Sequence, residues 1–143
     1  MSILKLADNL YISPQLTQAD VQEAAGLGIQ SVICNRPDGE EDGQPTFGEV
    51  QQWLAAAGIT HSVQQAVTAP NINTDNVARF KQLRAESPVP VLAYCRTGTR
   101  CSLLWGYDQV ANGVPVAEVV AAAQAAGVDL SNFAERLEAA AKA

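Results

Sequence analysis

Residues 89–104 read VPVLAYCRTGTRCSLL. The apolar run that opens with Pro90 reads as a buried strand ending on Cys95. The polar turn RTGTR follows, and it leads straight into an apolar helix. A strand, turn and helix in that order aim a thiol at a ring of backbone N–H groups. Gly98 can take a conformation closed to other residues, the amides of Thr97, Gly98 and Thr99 can converge on one point, and the helix adds its positive N-terminal end. The thiolate is the reactive form of cysteine, so the helix terminus together with Arg96 and Arg100 is expected to lower the Cys95 pKa from about 8.5. The same guanidinium groups can grip an oxyanion through paired hydrogen bonds. A cysteine at a strand end is ordinarily a packing residue. Its company gives this one a functional reading: two arginines, two threonines and a glycine follow directly, where α/β proteins place their ligands.

The rest of the chain bounds what such a site can serve. At 143 residues, with 48% hydrophobic and 17% charged residues, residues 1–143 form one globular domain with a single sizeable core. A formal charge of −6 argues against a general nucleic-acid binder; basic character is local to Cys95. Cys34, Cys95 and Cys101 fit neither a disulfide framework nor a zinc spacing, and the single histidine, His61, cannot complete a Cys/His metal site. No metal and no cofactor is expected, and His61 is read as structural. The N-terminal stretch lacks the basic flank and long apolar segment of a secretion signal. No apolar run approaches the ~20 residues of a membrane span, so the expected setting is soluble, cytoplasmic and reducing.

Along the chain, strands alternate with capped helices. Short apolar segments at 3–6 and 10–12, separated by Asp8 and Asn9, read as strand, turn and strand. Thr17 with Asp20, and Thr46 with Glu49, form the capping-box spacing ahead of helical stripes that stop at Gly28 and Gly58. Residues 29–34 and 59–67 read as strands, and residues 35–45, NRPDGEEDGQP, as an exposed acidic loop on the ligand-binding edge. Thr74 and Asp75 start a helix that Ser87 and Pro88 end. Helices over 102–110, 115–126 and 130–142 complete the chain. The pattern predicts an α/β domain with a largely parallel sheet covered by helices on both faces.

LYISPQLTQADVQEAAGLGIQSVICNRPDGEE, followed by LAYCRTGTRCSLLW, resembles the phosphatase-like domain family of beta-lactamase hydrolase-like proteins, relatives of the dual-specificity and tyrosine phosphatases. The resemblance covers nearly the whole chain and implies a three-layer phosphatase-like fold, with Cys95 as nucleophile and Arg100 as the catalytic anion-binding arginine. Arg96, Thr97, Gly98 and Thr99 would then bind substrate. The resemblance also implies a connection to sulfur metabolism. The loop departs from the tyrosine-phosphatase pattern, in which a histidine precedes the cysteine and five residues separate it from the arginine. Here Tyr94 precedes Cys95, four residues intervene before Arg100, and Cys101 stands where the arginine would. That spacing is similar to rhodaneses, which carry a persulfide on the cysteine. A phosphatase-like hydrolase acting on a small phosphorylated substrate, a sulfurtransferase acting on sulfane sulfur, and a non-catalytic anion or phosphopeptide binder therefore all remain open. Asp38 and Asp75 are the candidate general acids for the first reading. Cys34 and Cys101 are the candidate redox partners of Cys95.

Overall fold

The computed structural model describes residues 2–142. Five short strands, β1 (Leu4–Ala7), β2 (Leu10–Ser13), β3 (Ser31–Cys34), β4 (His61–Gln64) and β5 (Val91–Tyr94), form one sheet in the order β1-β2-β5-β3-β4. Only β1 runs antiparallel, joined to β2 by a tight turn in which Asn9 takes φ 60°. The other neighbours are parallel. The last strand in sequence therefore lies in the middle. It is apolar on both sides, as a strand covered by helices on two faces requires.

Two helices, α1 (Gln18–Gly26) and α2 (Phe47–Ala56), cover one face, where Val21, Ala24, Val50 and Leu54 meet Val32, Cys34, Leu92 and Tyr94. The other face carries α3 (Thr74–Glu86), α4 (Thr99–Ala111), α5 (Val116–Ala125) and α6 (Ala134–Lys142), packed on Ile33, Ala93 and Cys95. Both expected capping boxes form, Thr17 with Asp20 and Thr46 with Glu49. The cap of α3 is instead Asn73, whose Oδ1 accepts the Asn76 N–H at 2.9 Å, so the helix cap lies one residue before Thr74. Helix α4 starts at Thr99, three residues before the expected 102, since Gly98 in the left-handed region turns the chain into the helix.

The acidic loop is the larger correction. Asn35 is 0% and Arg36 2% exposed, so the loop's first two residues are interior. The turn-forming composition of 35–45 concealed a buried cation because charge alone does not report burial; partners do.

Helix α4 is the axis of the second layer, and its middle has no room for a side chain. A Cβ on Gly106 would lie 2.9 Å from Cγ1 of Val119 on α5, a β-branched side chain with little rotamer freedom. Replacing a helical glycine by alanine ordinarily stabilises by about 0.5–1 kcal/mol. Here Gly106→Ala should instead destabilise by about 1–3 kcal/mol through overpacking, read as a lower urea midpoint at unchanged m-value.

Candidate active site

Cys95 follows the last residue of β5 and is 0% exposed. Gly98, at φ +90°, is the residue before the first turn of α4. Its backbone N–H donates to Cys95 Sγ at 3.1 Å. Glycine is required here twice over: φ lies where side chains are strained, and a Cβ would meet Val128 Cγ2 at 3.2 Å. The loop is held from outside by Gln15 N–H donating to Arg96 O at 3.2 Å. It is held from inside by Ser102 Oγ donating to Gly98 O at 3.0 Å. Thr97 and Thr99 pair through their hydroxyls at 2.9 Å.

The surroundings of Cys95 lower its pKa to about 6. The largest cause is a hydrogen bond from the Cys101 thiol; burial opposes it, and the backbone N–H groups of Cys101, Thr97 and Arg100 add to the lowering. Cys101, fully buried beside that charge, is pushed well above its ordinary value, so it keeps its proton and donates. The direction agrees with the sequence reading but the source differs. Sulfur and amides stabilise the thiolate, while both arginine side chains are occupied elsewhere.

Arg100 is 13% exposed; its Nη1 donates to Val67 O at 3.0 Å and its Nη2 to Glu40 Oε1 at 2.9 Å. Arg96 is 60% exposed and pairs with Glu41 at 3.3 Å. Both carboxylates are in turn held by buried Arg36, whose Nε donates to Glu40 at 2.8 Å, Nη2 to Glu41, and Nη1 to Gln15 Oε1 at 2.9 Å. The two arginines beside it keep Glu40 below its usual carboxylate range despite partial burial. Sequence reading missed Arg36, Glu40, Glu41 and Gln15. The available signal was the Arg36 to Glu40 spacing of four within an otherwise acidic run.

The remaining candidates occupy different layers and elements. Cys101 lies in the same core layer as Cys95. Cys34 does not. It pairs in register with Tyr94, one residue short of Cys95, so its side chain lies in the opposite layer and donates to Arg36 O at 3.4 Å. Both thiols stand at the C-terminal edge of neighbouring parallel strands, but on opposite faces of the sheet. Asp38 Oδ1 accepts from Phe47 N–H at 2.9 Å, satisfying the first turn of α2. Asp75 is exposed in the first turn of α3. His61 Nε2 meets Ser87 Oγ at 3.1 Å, at the start of β4, away from the Cys95 edge. No group of residues that could hold a metal ion occurs among the described residues.

Residues 3–112 match the family described as beta-lactamase hydrolase-like protein, phosphatase-like domain. This chain belongs to that family. Relatives called beta-lactamase hydrolase-like protein come from Agrobacterium fabrum, 33% identical over 79% of this chain and 26% of its own length, and Xylella fastidiosa strain 9a5c, 30% identical over 96% and 32%. The chain thus spans about a quarter to a third of the curated relatives it matches. A crystal structure of a Neisseria meningitidis protein, named as a candidate phosphatase, is 57% identical with TM-score 0.96, covering 98% of this chain and 99% of that one. Pseudomonas aeruginosa TpbA in complex with pTyr aligns at TM-score 0.68 and 17% identity, covering 99% and 88%. The catalytic core of the yeast PP-IP phosphatase SIW14 with citrate aligns at 0.71 and 14%, covering 96% and 84%. These two share the fold. The phosphatase-like fold of this beta-lactamase hydrolase-like domain is therefore the three-layer α/β arrangement that the alternating elements implied. Among the described residues, no helix is long and apolar enough to cross a membrane.

Replacing Cys101 by alanine removes the leading donor to Cys95 and leaves the amides. The midpoint of Cys95 thiolate formation, followed by ultraviolet absorbance, should then rise from about 6 towards the free-thiol value of about 8.5. Cys101→Ser keeps an O–H donor and should hold the midpoint near its original position.

Proposed function

We propose that the domain is a cysteine-dependent phosphatase-like hydrolase in which Cys95 is the nucleophile. The observation that carries this reading is a buried thiol with its pKa lowered to about 6, accepting the Gly98 N–H at 3.1 Å in front of α4. At neutral pH such a group is predominantly thiolate. Its attack on phosphorus breaks the bond to the leaving oxygen, which departs with the electron pair and takes a proton. Water then cleaves the thiophosphate and restores the thiolate. The amides of the 96–100 turn fit the equatorial oxygens, and Arg100, released from Glu40, would hold them through its guanidinium fork. The naming of the Neisseria relative as a candidate phosphatase and the pTyr bound to TpbA agree with a phosphorylated substrate or small oxyanion.

Asp38 caps α2 through Oδ1 and Asp75 stands exposed on the first turn of α3, so both carry roles at helix starts. Substrates with a stable leaving anion, such as aryl phosphates, suit this arrangement best.

A second reading rests on the four-residue spacing from Cys95 to Arg100 and the preceding Tyr94. In a sulfurtransferase the thiolate attacks the sulfane sulfur of thiosulfate and sulfite leaves with the S–S electron pair. An acceptor thiol or cyanide then removes the outer sulfur. No acid is needed. Turnover of p-nitrophenyl phosphate against thiosulfate-to-cyanide transfer separates the two. Phosphate release lost in Cys95→Ser supports the hydrolase; thiocyanate formation without phosphate release assigns the site to sulfur transfer.

Arg100 is held on two sides at 13% exposure, whereas Arg96 stands at the rim at 60%. Arg100→Lys should therefore lower kcat/KM by about 10²-fold or more, because lysine keeps the charge and loses the fork, while Arg96→Lys costs several-fold at most. Equal losses in steady-state kinetics would reverse these roles.

A further inference from the structure

We propose that Glu41, paired to Arg96 and anchored on Arg36, restricts the Cys95 site to substrates carrying a single anionic group and excludes polyphosphates. The proposal rests on the phosphate-directed reading above and deepens it.

Arg36 is 2% exposed, and a buried guanidinium is tolerated only with its charge balanced and its donors satisfied. Its acceptors are Glu40, Glu41 and Gln15. The two carboxylates are therefore tethered at the strand edge, since swinging the loop outward would strip Arg36 of its partners. Each tethered carboxylate also takes one arginine of the Cys95 loop: Glu40 takes Arg100 at 2.9 Å and Glu41 takes Arg96 at 3.3 Å.

Charge then decides what can bind. Three arginines face two glutamates and the Cys95 thiolate, so the assembly is neutral as a whole. One phosphoryl group is still well served. It exchanges with Glu40 for Arg100 and finds fixed amides at the start of α4, which cost no charge. A second phosphoryl group, one bridging oxygen further out, would need a cation at the rim. Arg96, next to Cys95 in sequence and exposed, is the residue placed to supply it, and Glu41 already neutralises it. Asp38 and Asp42, both exposed on the same loop, add to the repulsion.

The test is calorimetric titration of the wild-type chain with inorganic phosphate and with tripolyphosphate, alongside Glu41→Gln, Arg96→Gln and the double variant. Wild type should bind tripolyphosphate no more tightly than phosphate. Glu41→Gln, which keeps an oxygen for Arg36, should shift the preference towards tripolyphosphate by tenfold or more. The shift should disappear when Arg96→Gln is added, and shrink at about 1 M salt, where screening acts within about 3 Å. Wild type preferring tripolyphosphate tenfold, an unmoved preference in Glu41→Gln, or a gain that survives Arg96→Gln would each overturn the proposal while leaving the hydrolase reading standing. Should Glu41→Gln not fold, Arg96→Gln alone decides. An unchanged preference shows that Arg96 was already neutralised, and a loss of tripolyphosphate binding shows that it was free. Failure of wild type to bind either anion would instead remove the phosphate-directed reading, and this proposal with it.

Discussion

A sulfur atom with no exposed surface is held ready to carry charge, and most of the local structure can be understood as compensation for that. Burial alone would raise the Cys95 pKa; the Cys101 thiol and the first amides of α4 reverse the sign. Those donors are in place because Gly98, in a left-handed conformation, ends the four-residue loop after β5 and turns the chain into α4. The position of α4 depends in turn on Gly106, where Val119 of α5 leaves no space for a Cβ. A chain of steric requirements running from the second helical layer to the sheet edge thus ends in the protonation state of one thiol.

The parts of this that could be read from sequence are those governed by local chemistry. Thr17 with Asp20 and Thr46 with Glu49 satisfy helix termini with atoms three residues apart, so spacing alone predicts them. The strand ending at Cys95 is legible because a β-rich apolar run followed by a polar turn with glycine has few alternatives. Two features were not legible. Arg36 is buried because residues at 15, 40 and 41 surround its guanidinium, and nothing in the composition of 35–45 distinguishes that arrangement from a solvated loop. Cys34 sits across the sheet from Cys95 because of a one-residue register offset, and side chains of a strand change face with every residue.

That offset has a chemical consequence. Cys34 and Tyr94 share one layer, and burial raises the pKa of both, so neither thiol nor phenol there is poised for chemistry. Cys101 shares the other layer with Cys95, and its raised pKa makes it a donor rather than a competing nucleophile. Two buried thiols, one at the start of the loop and one in the first turn of α4, thus take opposite protonation states. Should Cys95 become oxidised to a sulfenic acid, Cys101 is the thiol that shares its core layer, whereas Cys34 lies on the opposite face of the sheet.

The arginines are where electrostatics and specificity separate. A loop rich in arginine looks from sequence like a strong anion trap, yet each guanidinium near Cys95 is matched by a carboxylate that Arg36 holds in place. An entering anion gains a new partner only by releasing an existing one, so its net gain on Arg100 is smaller than a free arginine would give. On the proposed phosphate-directed reading, binding would then lean on the backbone N–H groups of the turn, whose contribution does not grow with the charge of whatever lies beyond the reacting group. Under the proposed reading, a neutralised cradle beside the thiolate would select for the shape of the reacting group ahead of the total charge of the substrate.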